Sequence, residues 1–389
     1  MGSILRKFIK LESGGGIVLF ITAILALILD NTPWYTYYEA LLNLPLNIQL
    51  GPFQLSKPLL LWINDGLMTV FFLLVGLEIK REMLEGKLND FAQASLPVIA
   101  GLGGMFIPAL IYFAFNIGEG TSYLQGWAIP VATDIAFSLG ILSLLGNKLP
   151  IGLKVFLTAL AIFDDISAIF IVAVFYTHHI SLILLLSAGL LLGLLILLNR
   201  LHVTTIMAYI LIGIALWFCV LKSGVHATLS GIALAFTIPI RDWKNPRVSP
   251  LRNLEHTLCP WVAFGVLPIF AFANSGVSFS KIRLLENLFN PITLGIALGL
   301  FLGKQIGIWS TCWIWIKTGW AHMPYGGNWR SLYGISLVAG IGFTMSLFIG
   351  ALAFSSIEQQ HYSTMVRLGI IIGSFLSGIS GYLVLHFTL

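Results

Sequence analysis

A chain of 389 residues that is 58% hydrophobic and 10% charged, with a mean hydropathy of +0.93, is not a soluble globular protein, for those carry about 25% charged residues. The formal charge of +5 does not mark a nucleic-acid binder, because the basic residues stand at the ends of apolar segments, where membrane topology places them. Cys219, Cys259 and Cys312 lie scattered in apolar or span-end sequence with no CxxC spacing, which predicts neither a disulfide nor a metal centre.

Met1 to Leu11 is basic, but no small-residue cleavage site follows an apolar core, so it reads as a cytoplasmic surface helix leading into the first span. Apolar runs begin near Gly16, Leu59, Ala94, Leu124, Ile151, Ser181, Val203, Gly224, Leu258, Ile292, Ser331 and Val366, predicting an all-α polytopic membrane protein of about twelve transmembrane helices. With the chain starting inside, Lys57, Lys222, Lys281 and Arg283 fall outside, and Lys304 and Arg367 fall within or at the edge of spans. The other fifteen of the 21 basic residues fall inside. The positive-inside rule then puts both termini in the cytoplasm and favours an even number of spans.

Between the first two spans, Leu44, Leu46, Ile48 and Leu50 alternate with polar or Pro residues. Gly51-Pro52 then turns the chain, and Phe53 and Leu55 resume the alternation. This predicts an external β-hairpin over about 43–58. A ribbon with open edges invites pairing with a second subunit, so a homodimer through the hairpin is expected. Asp65, at the start of the second span, reads as a helix cap or rim residue. Glu78, Arg81, Glu82, Glu255 and His256 stand at cytoplasmic span ends. They read either as ordinary interfacial charge or as a regulatory cluster titrating near neutral pH.

The fourth span carries Pro130 and Asp134 at its middle, and the eleventh carries Gly340 and Gly342. Val131-Ala132-Thr133-Asp134-Ile135-Ala136-Phe137-Ser138 and Val338-Ala339-Gly340-Ile341-Gly342-Phe343-Thr344 match with one gap. Each is second in a group of three spans, one group about 94–176 and the other about 290–387, and the two groups have opposite topology. Paired interrupted segments in such inverted repeats predict broken helices at a midplane binding site. Asp134 is placed to neutralise helix N-termini facing the break, and Lys304 to neutralise C-termini.

In the fifth span Asp164 and Asp165 sit near the middle of the apolar run from about Ile151 to Tyr176. Each acid costs about 2.5–3.5 kcal/mol at a helix centre on insertion scales, so the pair is expected to face protein or water and to bind a cation or proton. Neighbouring helical residues point about 100° apart. One acid can therefore face an aqueous path while the other meets a partner, for which Lys304, deep in its span, is the natural choice. Carboxylates, the Thr133 hydroxyl, freed carbonyls and water suit a hard monovalent ion. Since the same carboxylates bind protons, ion and proton compete for one site, and one ion replacing two protons makes the exchange electrogenic. His226 reads as packed and hydrogen-bonded.

Asn64-Asp65-Gly66-Leu67-Met68 through Phe71-Phe72-Leu73-Leu74-Val75-Gly76-Leu77-Glu78-Ile79-Lys80-Arg81-Glu82, Ala132-Thr133-Asp134-Ile135-Ala136-Phe137, Ala161-Ile162-Phe163-Asp164-Asp165, Ser223-Gly224-Val225-His226-Ala227-Thr228, Leu254-Glu255-His256 and Gly340-Ile341-Gly342-Phe343-Thr344-Met345-Ser346 together resemble the NhaA sodium/proton antiporters of bacterial inner membranes. The broken-helix rule is itself drawn partly from that family, so the two readings are one line of argument. The resemblance implies a single transporter domain over 1–389, with crossed broken helices at spans four and eleven, and a homodimer joined partly by the hairpin. It implies Asp165 as the main Na⁺ or Li⁺ ligand, with Asp164 exchanging protons and pairing with Lys304. Asp134 would lie near the crossing, and Thr133 would be a further ligand. Glu78, Arg81, Glu82, Glu255 and His256 would form a pH-sensing entrance. No cofactor is implied beyond the transported ions. Cys259 stands where the best-known pattern has a second histidine, which implies a shifted or shallower pH activation.

Two other classes fit less well. An intramembrane aspartyl protease needs two facing acids, which adjacent residues on one helix cannot supply, and no Gly-x-Gly-Asp string occurs. A symporter of organic anions would have to seat an anion beside two buried acids.

Overall fold

The computed structural model describes residues 2–50, 53–86, 91–177, 181–243, 245, 247–279, 284–355 and 357–389. The predicted hairpin turn Gly51-Pro52 and the basic residues Lys87, Lys244, Lys281 and Arg283 lie outside them. The elements run in the order α1 (Gly2–Asp30), α2 (Tyr35–Leu42), β1 (Pro45–Leu50), β2 (Phe53–Pro58), α3 (Leu59–Glu85), α4 (Phe91–Asn116), α5 (Thr121–Val131), α6 (Ile135–Ser143) and α7 (Ile151–Phe175). They continue with α8 (Leu182–Arg200), α9 (Ile206–Ser223), α10 (Leu229–Thr237), α11 (Pro250–Asn274), α12 (Leu284–Leu288), α13 (Pro291–Lys317), α14 (Trp329–Val338), α15 (Phe343–Ala353) and α16 (Ser363–Thr388). Among the described residues 8 helices are long and apolar enough to cross a membrane, or up to 11 if each bent pair counts as one span. The chain is therefore a mostly helical, multi-pass membrane protein with one two-stranded antiparallel sheet.

The run starting near Gly224 departs from expectation. Gly224, at φ +88°, ends α9 in the left-handed region, and α10 has only 9 residues. At 1.5 Å per residue that is about 13 Å, well short of a hydrocarbon core of about 30 Å. A second departure is a wide π-helical turn inside three long helices, at Ile63–Leu67, Val262–Val266 and Gly299–Gly303. Such a turn inserts a residue into the helical register and re-aims the side chains beyond it.

The chain divides into two units, one of Met1–Thr32, Asp90–Ala168 and Ser275–Leu389 and one of Pro33–Asn89 and Ile169–Asn274. In the first, the same order appears twice: long helix, bent pair, long helix, as α4, α5/α6, α7 and again as α13, α14/α15, α16. Both pairs bend by 43°. Helices here approach backbone to backbone, because no hydrophobic gain separates lipid from protein and close van der Waals packing must supply the attraction. A Cβ on Gly16 of α1 would lie 2.6 Å from the Ala136 carbonyl of α6, and one on Gly303 of α13 would lie 2.7 Å from Pro108 Cα of α4.

In the second unit α3, α8, α9, α10 and α11 share a core of Leu73, Leu77, Leu195, Tyr209, Leu216 and Leu234 with their neighbours. Lys80 of α3 donates to the Phe236 and Ile238 carbonyls (2.7 and 2.6 Å), closing the C-terminus of α10 with a cation. Asn64 and Asn274 exchange side-chain amide hydrogen bonds (3.3 and 2.8 Å) between α3 and α11. The hairpin pairs in register from Pro45↔Pro58 to Leu50↔Phe53. Asp65 is not a helix cap: α3 already begins at Leu59, and Asp65 sits in its π turn, paired with Lys57 at 2.8 Å. His226 is packed as expected, its Nε2 2.6 Å from the Tyr176 carbonyl.

Candidate functional site

Pro130 cannot donate a backbone hydrogen bond, and the chain around it forms a 3₁₀ turn over Gln125–Val131 rather than an α-helix. Residues 132–134 are extended before α6 begins. In the second bent pair the helix α14 stops at Val338, and Gly340 and Gly342 occupy the gap before Phe343. A substituent is excluded at Gly340, whose Cβ would lie 2.5 Å from the Leu300 carbonyl oxygen.

The two gaps are hydrogen-bonded to each other. The Asp134 N–H donates to the Ile341 carbonyl (2.7 Å), the Ser138 hydroxyl to the Val338 carbonyl (3.2 Å) and the Ser346 hydroxyl to the Ile129 carbonyl (2.7 Å). Asp134 is buried and serves two helix starts at once. Its Oδ1 accepts from the Phe137 N–H (2.9 Å), capping α6, while Oδ2 accepts from the Thr344 N–H (3.0 Å) and from the Thr344 hydroxyl, capping α15. A carboxylate at two positive dipole ends is the counter-charge expected at such a break.

Beside this cap lies the acid pair. Asp164 and Asp165 are 1% and 2% exposed, and Lys304 is 0% exposed. Lys304 Nζ stands 2.5 Å from Asp164 Oδ2. The Thr133 hydroxyl lies 2.7 Å from the same oxygen and 2.8 Å from the Ala339 carbonyl, so one extended residue links the acid to the facing gap. Asp164 Oδ1, also buried, accepts no hydrogen bond among the described residues, which leaves a carboxylate oxygen available to a cation or a proton. Lys304 meets the acid expected to pair with it and not the helix C-termini it was also placed to neutralise. It donates to Asp164, whereas the freed carbonyls at the gaps take their hydrogen bonds from Thr133, Ser138 and Ser346. Its position comes directly after the π turn Gly299–Gly303, a feature that hydropathy and spacing do not announce.

The second unit gathers the other predicted group. Arg81 Nε lies 3.1 and 3.0 Å from the two oxygens of Glu255, and its Nη1 lies 2.6 Å from Glu82. Glu78 lies within electrostatic reach of Glu255, Arg81 and Glu82, and His256 within reach of Glu255. Glu85, which sequence reasoning missed, binds Arg241 (2.7 Å) and Arg252 (2.6 Å). These ion pairs tie α3 to α11 and to the segment before it.

Long apolar helices enclosing an acid–lysine pair beside two mutually bonded helix gaps define the class of ion-coupled secondary transporters. The chain belongs to the family described as Na+/H+ antiporter 1, whose profile matches residues 6–385. Its curated relatives include the Na⁺/H⁺ antiporter NhaA of Psychrobacter cryohalolentis, 54% identical over 385 residues (99% of this chain, 95% of the relative). That of Rhodospirillum rubrum is 54% identical over 385 residues (98% and 96%), and that of Pseudomonas putida 49% over 384 (99% and 97%).

Proposed function

We propose that the protein exchanges Na⁺ or Li⁺ for H⁺ across a bacterial inner membrane, electrogenically and under pH control. Asp165, Asp164 and Thr133 bind the ion. Lys304 holds Asp164 when the ion is absent, and Asp134 keeps the two gaps in register. The reading extends to twelve crossings, with the turn residues before α10 completing the eighth, and to inverted repeats over about 94–176 and 290–387 whose broken spans cross. Both termini are cytoplasmic, the external hairpin joins a homodimer, and Glu78, Arg81, Glu82, Glu255 and His256 set the pH response. The transported ions are substrates, and no resident cofactor is required.

One observation carries the reading: Asp164 Oδ2 receives both a lysine ammonium and a threonine hydroxyl inside the protein, with Asp165 next to it in the chain. An ion reaching those oxygens takes the place of positive charge already there, so binding and proton loss are coupled without a separate device. Everted membrane vesicles with a preset proton gradient test it. Added Na⁺ dissipates the gradient in the wild type and fails to in Asp165→Asn, while K⁺ and choline do nothing in either. Equal dissipation by K⁺ would overturn the reading.

A further inference from the structure

A groove of about 590 Å³ opens where α13, α14 and α16 meet, walled by Trp309, Trp329, Tyr333, Leu383 and Phe387, with Arg330 as its one charged residue. That volume lies in the range of about 300–1,000 Å³ usual for ligand sites. Trp329 and Arg330 open α14, and Phe387 lies next to the last residue of α16. The groove is therefore at span ends, where a bilayer passes from hydrocarbon to headgroup and where aromatic belts form. Its wall is built: Trp309 meets Trp329 and Tyr333 edge-on, with ring centroids 6.3 and 6.5 Å apart.

One charged group in this wall lacks a partner. Arg330 forms no ion pair or hydrogen bond among the described residues. A site with an apolar trough and an uncompensated guanidinium complements an amphiphile with a negative head. Arg engages phosphate through paired hydrogen bonds, and basic pockets between transmembrane helices select anionic lipids. We infer that this groove holds one anionic phospholipid, its phosphate on Arg330 and an acyl chain along Trp309, Tyr333, Leu383 and Phe387. The occupant touches the ion site's own helix. The Tyr333 hydroxyl donates to Gln305, whose amide donates to the Phe301 carbonyl (2.7 Å), and Gln305 is the residue after Lys304. The inference rests on the membrane setting and not on the exchange reaction.

Native mass spectrometry of the full-length protein in detergent, titrated with phosphatidylglycerol or phosphatidylcholine, tests it. The wild type and Arg330→Lys retain one phosphatidylglycerol more per chain than Arg330→Ala. Leu383→Trp, which fills the trough and leaves the charge, loses the same one. Phosphatidylcholine retention is the same in all four. Equal phosphatidylglycerol retention in wild type, Arg330→Ala and Leu383→Trp overturns the site, as does a matching loss of phosphatidylcholine. Loss of a dimer in Arg330→Ala with unchanged lipid would make the groove a subunit contact and also overturn it.

Discussion

Lys304→Ala is expected to cost about 3–5 kcal/mol of stability and to abolish exchange, because it strands the Asp164 carboxylate inside the protein without its cation. The pair is sealed: Lys304 is 0% and Asp164 1% exposed. Water therefore cannot replace the ammonium, as it does for the exposed pair of Arg241 with Glu85. Removing both charges has a different outcome. In Asp164→Asn combined with Lys304→Gln, the amide oxygen still accepts from Thr133 and no lone charge is left, so most of the lost stability returns while exchange remains absent. Thermal unfolding in detergent beside vesicle transport separates the two effects. A double variant as unstable as Lys304→Ala would show that the pair's electrostatics are not what the helices depend on.

The second large effect belongs to Asp134. Deleting one N-cap costs about 0.5–2 kcal/mol, and this carboxylate caps both α6 and α15. Asp134→Ala is therefore expected to cost about 1–4 kcal/mol. Thr344→Val removes one hydroxyl donor and leaves the backbone cap, so it costs about 1 kcal/mol. Asp134→Asn keeps one acceptor oxygen and falls between them. Exchange should track the same order, since loosening the gaps moves Thr133 away from Asp164. Unfolding midpoints of the three variants check the ranking, and Asp134→Ala no weaker than Thr344→Val would contradict it.

Much of this site is legible from residue types alone. A proline near an acid in one apolar run and two glycines in another interrupt the helix, the buried acids and one deep lysine are costly in lipid, and the structure brings Thr133, Asp134, Asp164 and Lys304 into one hydrogen-bonded neighbourhood with the gap at residues 339–342. The role of Thr344 is hidden in the sequence because a threonine in an apolar run is common and its value here depends on which helix start faces Asp134. The π turns are hidden for a related reason. Gly66, Gly265, Gly299 and Gly303 permit a wide turn without requiring one, and the close packing of Gly303 on Pro108 appears only once the helices are placed together. The short α10 cannot be read from hydropathy, which measures how apolar a run is and not whether Gly224 breaks it. Glu85 looks like one more interfacial charge until the fold places Arg241 and Arg252 on it.

If sodium and protons contend for the same buried oxygens, the Michaelis constant for Na⁺ must depend on pH, whatever the regulatory cluster does to the maximal rate. Initial rates in proteoliposomes, with the same pH on both sides and Na⁺ varied, measure this directly. The expected result is a constant that rises about tenfold per pH unit of acidification for each proton displaced. A constant that stays fixed while the maximal rate falls would mean that protons act elsewhere.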